Sequence, residues 1–193
     1  GTQTETRLPL LMKALYVVGP SVVNRDKSFQ EMRKRKVSEA GFRPLYPLDT
    51  PLPDYVCPTS VDAALLIRAN NLALIERADG LIACFEPFRG PSLDVGTAYE
   101  VGYAQAKGKP VFAYTPYNAS YKDRVVSNDQ WARPVTFQGH EAIVDGKGML
   151  IEDFGLCDNL MLCAKTEGGV LPVSNTIAQA LEIAQKHFAD SQP

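Results

Sequence analysis

The chain predicts an α/β fold, a parallel sheet flanked by helices within one domain of 193 residues. Three observations carry that reading. The runs at 14–18, 80–85 and 111–114 are short and almost wholly apolar, as strands covered on both faces must be. Stretches of helical periodicity lie between them, and glycine or proline marks the joins at Gly19-Pro20, Gly41 and Gly108-Lys109-Pro110. A composition of 45% hydrophobic and 22% charged residues supplies one sizeable core and leaves no material for a second domain.

Taken in order, residues 1–12 read as a flexible leader and the domain runs over 13–190. The strand at 14–18 stops at Gly19-Pro20 without the G-x-G-x-x-G spacing that brings backbone close to a pyrophosphate, which argues against a dinucleotide cofactor. A helix over 28–40 follows, with Arg33-Lys34-Arg35-Lys36 as a solvated face, and ends at Gly41. Residues 42–46 suit a second strand. Pro44, Pro47, Pro51, Pro53 and Pro58 then make 44–58 an irregular surface loop. Ser60 can cap a helix that reaches Arg77, one face of which carries Ile67, Asn71, Leu74, Ile75 and Ala78. Asp79 reads as a structural cap at the head of the next strand. Beyond Tyr114 the pattern weakens over 115–155, where a hairpin is expected at Asp145-Gly146 and the length suits a lid or a contact between subunits. A last amphipathic helix over 173–188 presents Ile177, Ala180, Leu181, Ala184 and Phe188 on one stripe.

Charge and cysteine usage narrow the function. A formal net charge of -2 and a pI near 5.7 give no broad basic surface for nucleic acid, so a small molecule is the expected partner. Cys57, Cys84, Cys157 and Cys163 form no C-x-x-C pair, and with only His140 and His187 beside them no zinc spacing can be assembled. No metal and no organic cofactor are expected. Reduced thiols, the lack of an apolar run long enough to span a bilayer and the lack of a signal-peptide pattern suit a cytoplasmic protein with no membrane contact.

The stretch from Ser92 to Ala104 holds the most chemistry, because it places a carboxylate, Glu100, in the first turns of a helix that follows a strand. In open α/β sheets the ligand crevice lies beyond the carboxyl ends of the strands, where Asp94 and the first turn of this helix would sit. The helix start should favour an ionised carboxylate, and an ionised carboxylate can attack. The plainer reading makes Asp94 a helix cap and Glu100 an ordinary solvated side chain. Asn71 stands out on the apolar face of its helix, since a buried amide costs about 1–3 kcal/mol without a partner and must bond either neighbouring backbone or something in a site. His140 has no partner visible in sequence and reads as an ordinary loop histidine.

Several segments together resemble one family. Leu15-Tyr16-Val17-Val18-Gly19-Pro20-Ser21, Ala78-Asp79-Gly80-Leu81-Ile82-Ala83, Phe88-Arg89-Gly90-Pro91 leading into Asp94-x-Gly96-Thr97-x-x-Glu100-x-Gly102-x-Ala104, and Asp158-Asn159-Leu160-Met161-Leu162 are similar, in order and spacing, to the nucleoside 2-deoxyribosyltransferases. The likeness covers 13–162. It implies a flavodoxin-like or Rossmann-like sheet and the transfer of 2'-deoxyribose between nucleobases in nucleoside salvage, purine deoxyribonucleosides included, by a retaining double displacement. Glu100 would form a glycosyl ester, with Tyr16 holding it in place and Asn71 at the leaving base. Asp94, Asn159, Met161 and Gly19 would bind substrate. The partners implied are a deoxynucleoside, a free nucleobase and further copies of the chain in a homo-oligomer (dimer, tetramer or hexamer), where Asn159 and Met161 reach a neighbour's site.

One position departs from the family. Where it generally carries an aspartic acid for general-acid work, this chain has Asn71, which can orient a base but cannot deliver a proton as a carboxylic acid does. Other activities therefore stay open. Hydrolysis of a deoxynucleoside or its 5'-phosphate would use Ser21 and Arg25 on the phosphate, and a nucleotide-sensing module with decayed catalysis would tolerate Asn71. The cytokinin-activating phosphoribohydrolases share a Gly-Thr-x-x-Glu helix start but place before it a Gly-Gly pair that this chain lacks.

Overall fold

The structure, a computed structural model, describes residues 11–20 and 27–191. Most of the expected leader at 1–12, together with Ser21 and Arg25, lies outside the described residues. Strands β1 (Ala14–Val18), β2 (Arg43–Leu45), β3 (Gly80–Cys84), β4 (Val111–Tyr114) and β7 (Val173–Ser174) make one sheet in the order β2-β1-β3-β4-β7. Every pairing in it is parallel. With the separate hairpin of β5 (Arg133–Phe137) and β6 (His140–Val144) set aside, this is the flavodoxin-like strand order, whose connections reverse between β1 and β3, the switch point at which such sheets bind ligands beyond their strands' carboxyl ends.

The three central strands are buried throughout, which accounts for their unbroken apolar character. Alternate residues serve opposite layers. Tyr16, Val18, Leu81, Ala83 and Ala113 pack with Leu74, Ile75 and Ala78 at the end of α2 (Val61–Arg77) and Val101 and Ala104 of α3 (Val95–Ala106). Leu15, Val17, Ile82, Cys84, Phe112 and Tyr114 pack with Val37 of α1 (Lys27–Glu39) and with Ile177, Ala180, Leu181 and Ala184 of α5 (Ile177–Asp190). Side-chain caps start four helices: Ser60, Asp94, Thr176 and, for α4 (Tyr121–Asn128), Ser120 each accept the backbone N–H of the residue three positions on. Each such cap is worth about 1 kcal/mol. At the other end of α2, the Lys109 ammonium donates to the carbonyls of Glu76 and Ala78.

Four expectations are corrected. Pro44 belongs to β2 and not to the irregular loop; β2 is an edge strand, where a missing N–H costs no ladder bond. Ile67 is 43% exposed and lines an open apolar groove between α2 and the proline loop, because the first half of α2 is not covered by the sheet. Residues 173–174 form β7 and not helix, since Val173 and Ser174 pair with Ala113 and Tyr114 before Thr176 caps α5. The hairpin joins β5 (Arg133–Phe137) to β6 (His140–Val144) and turns at Gln138-Gly139, both with positive φ (51° and 80°) as a tight hairpin turn requires. Asp145 instead shapes the exit from β6, its carboxylate accepting the N–H groups of Lys147 and Met149. His140 lies exposed on β6.

Asp79 has the structural role expected of it. Its carboxylate accepts the Ala14 N–H at 2.8 Å while its own N–H donates to the Ala14 carbonyl at 2.8 Å, fastening the start of β1 to β3. No helix among the described residues is long and apolar enough to cross a membrane.

Candidate active site

The switch point between β1 and β3 determines what can meet there. Tyr16, on β1, is fully buried and points to the α2 and α3 layer. Glu100 reaches the same place from the second turn of α3, flanked on that helix by the buried Thr97, Val101 and Ala104. The Tyr16 hydroxyl donates a short hydrogen bond to Glu100 Oε2. These two residues are the only candidates that the structure joins directly by side chains among the described residues.

Burial dominates the electrostatics of the pair. It pushes the Glu100 carboxyl from its ordinary 4.5 up to about 7, the Tyr16 hydrogen bond opposes the rise, and the nearby Asp94 charge adds to it. The expected favouring of the ionised form by the helix start is therefore outweighed by desolvation. Glu100 is thus not an ordinary solvated side chain. Burial, followed by the neighbouring Glu100 charge, raises the Tyr16 phenol well above its usual value, so it remains a hydrogen-bond donor throughout the physiological pH range.

Asp94 caps α3, and only one of its oxygens is used for that purpose. Oδ2 accepts the Thr97 N–H at 2.9 Å and the Thr97 hydroxyl at 3.1 Å. Oδ1 has no hydrogen-bond partner among the described residues. The cap thus holds the Asp94 side chain still through Oδ2 and leaves Oδ1 as a further acceptor.

The segment carrying Asn159 and Met161 is tied to the start of α3 through Asp158, which opens the quoted motif without a role assigned to it, and Arg124, which no motif contains. Asp158 is buried, and its carboxylate accepts the N–H groups of Leu93 at 2.9 Å and Asn159 at 2.8 Å. Arg124, also buried, pairs with Asp158 at 3.3 Å and donates to the carbonyls of Pro91, Ala119 and Cys157. One guanidinium therefore gathers three loops around the crevice. Asn159 accepts the Met161 N–H and lies 3.3 Å from a Glu152 oxygen, while the Met161 side chain is 75% exposed. Neither bonds to Glu100.

Asn71 is half-buried on α2, and the one hydrogen bond of its side chain among the described residues is a long 3.5 Å contact from Asn70. The structural partner that a fully buried amide would demand is not found there. Gly19 ends β1 with φ 156° and is buried; a Cβ on it would meet Cys84 Cβ at 2.8 Å and Arg33 Nη1 at 3.0 Å. Close packing is by itself enough to require glycine at that position. No group of three or more His, Cys, Asp or Glu among the described residues is placed to hold a metal ion.

A flavodoxin-order sheet carries a half-buried carboxylate held by a buried phenol at its switch point, the place where open α/β sheets bind their ligands. The family is set by comparison: the nucleoside 2-deoxyribosyltransferase family model matches residues 15–161, and the chain belongs to that family. An uncharacterized protein of Schizosaccharomyces pombe is 29% identical over 192 residues, covering 94% of this chain and 90% of its own. A 2-desoxiribosyltransferase from Leishmania mexicana superposes with a TM-score of 0.66 at 26% identity, over 91% of this chain and 98% of that one. A conserved protein from Enterococcus faecalis V583 shares the fold, with a TM-score of 0.52 at 18% identity over 91% of this chain and 99% of its own.

Proposed function

We propose that this protein transfers 2-deoxyribose between nucleobases through a covalent ester of Glu100. The observation that carries the reading is the Tyr16–Glu100 hydrogen bond at the sheet's switch point. It fixes one carboxylate oxygen and leaves Oε1 to attack C1' of a deoxynucleoside. The C1'–N bond breaks, the base leaves with its electron pair and takes a proton from water, and an ester joins Glu100 to C1'. An incoming base then attacks C1' from the opposite face, the C1'–O bond to Glu100 breaks, the base's N–H proton returns to water, and the carboxylate is restored. Two inversions give net retention, and the positive charge that builds on the sugar is stabilised by the adjacent carboxylate. Asp94 Oδ1 accepts a sugar hydroxyl, and Asn71 orients the base. The test is incubation with deoxyadenosine and free hypoxanthine: deoxyinosine is expected, and its absence with deoxyadenosine left intact would exclude the reading.

The raised Glu100 pKa gives the reaction a pH signature. Only the ionised carboxylate attacks, so kcat/KM should climb with pH through about 7 and level off above it. Tyr16→Phe removes the interaction that lowers this pKa. Its ascending limb should move to higher pH while the plateau falls, whereas a variant that merely loosened the core would lower activity evenly at every pH.

Completion of the pocket by a second copy of the chain is part of the same proposal, supported by the exposure of Leu160 and Met161 beside Asn159. If sites are shared, mixing inactive Glu100→Ala with inactive Asn159→Ala should rebuild some intact sites, in a dimer up to about a quarter of normal activity. No recovery after subunit exchange would place Asn159 in its own chain's site.

A further inference from the structure

Cys157 and Cys163 lie at the two ends of the segment that holds Asn159 and Met161, and their sulfurs are 3.5 Å apart. Both are free thiols, Cys163 buried and Cys157 half-buried. Their spacing in sequence gave no hint of this approach, since it is neither C-x-x-C nor part of a regular element. A disulfide needs about 2.05 Å between sulfurs. The segment from Cys157 to Cys163 is made of turns and bends, where backbone can shift without breaking a helix or a sheet ladder. The thiols are also connected to the crevice: Cys163 contacts the Asp158 carbonyl at 3.5 Å, and the Cys157 carbonyl accepts from Arg124.

We propose that Cys157 and Cys163 form a redox modification site, closed to a disulfide by a peroxide, which braces the loop bearing Asn159 and Met161. The hydrogen bond from the Cys157 thiol favours the thiolate at Cys163, and the same bond raises Cys157. The Cys163 sulfur attacks a peroxide oxygen, an S–O bond forms, the O–O bond breaks, and hydroxide leaves to become water. Cys157 then attacks the resulting sulfenic acid: the S–S bond forms, the S–O bond breaks, and a second water departs with the Cys157 proton. Two thiols thereby lose two electrons and two protons to hydrogen peroxide, and a dithiol reductant reverses the change.

Formation of the bond does not depend on the enzymatic activity; only its consequence for catalysis rests on the proposed function. Trypsin releases both cysteines in one peptide, 148–165, bounded by Lys147 and Lys165. After hydrogen peroxide, thiol blocking and digestion of the full chain, this peptide should be lighter by two hydrogen atoms and unalkylated, and dithiothreitol should restore two blockable thiols. Cys157→Ser and Cys163→Ser should each abolish the product, while Cys57→Ser, in the proline loop, should not. Alkylation of both cysteines in the wild-type peptide, or a disulfide only between molecules, would overturn the proposal. Amide hydrogen exchange over 158–162 should slow in the oxidised protein, and an unchanged rate would refute the bracing. An enzyme inactive in base exchange yet closing this disulfide would leave the modification site standing and remove the proposed function alone.

Discussion

Glu100→Ala is expected to lose base exchange by roughly three powers of ten or more, because it removes the carboxylate that Tyr16 holds for attack. Glu100→Gln separates chemistry from structure. Its amide carbonyl can still accept from Tyr16 but cannot attack, so activity should fall as far as in the alanine variant. Stability should move the other way. In the folded state the carboxyl binds its proton up to about pH 7, against an ordinary 4.5, so the native state holds the extra proton and stability falls as pH rises through that window. Above pH 7 the ionised, half-buried carboxylate costs on the order of 2 kcal/mol that glutamine avoids. Urea denaturation at pH 5 and pH 8 should show Glu100→Gln more stable than wild type chiefly at pH 8. Equal destabilisation at both values would mean the carboxylate is held by contacts stronger than its desolvation.

The largest loss of stability is expected at Arg124. Arg124→Met strips the cation from Asp158, which is 1% exposed, and also leaves the Pro91, Ala119 and Cys157 carbonyls without their shared donor. Breaking one side of a buried ion pair costs about 3–5 kcal/mol, a large share of the roughly 5–15 kcal/mol by which a domain is stable. Asp158→Asn in the Arg124→Met background should recover part of it by removing the uncompensated charge, which a double-mutant cycle in urea would measure. Should Arg124→Met cost less than about 1 kcal/mol, the pair would be no more than a surface-type contact. Surviving protein should bind a deoxynucleoside more weakly, since the Asp94 cap and the Asn159 segment are held in register through Leu93 and Asp158.

What could be read from the chain follows the range of the forces involved. The Ser60 and Asp94 caps, the buried strands and the α5 stripe are set by neighbours within a few residues, and they lie where the pattern put them. Glu100 was legible as a carboxylate behind a strand. Its protonation was not, because that depends on burial contributed by β1, and the Tyr16 bond spans 84 positions and was reachable only through family likeness. Arg124 and Asp158 carry no local mark of burial, and Asp158 finds the Leu93 N–H 65 positions away. The hairpin turn escaped for a chemical reason, since Gln138-Gly139 lacks the Asn-Gly or Asp-Gly signature while Asp145-Gly146 has it. The strand at Val173–Ser174 owes its state to β4 and not to its own two residues.

Rapid acid quenching of the enzyme with deoxyadenosine and no acceptor base addresses the Glu100 ester itself. Trypsin should then release the peptide spanning 90–107, bounded by Arg89 and Lys107 and containing both Asp94 and Glu100, with one deoxyribosyl group added. Fragmentation should place the group on Glu100, and adding hypoxanthine before the quench should discharge it as deoxyinosine. Deoxyinosine formed with no sugar ever carried by Glu100, or with the sugar found on Asp94, would contradict the account.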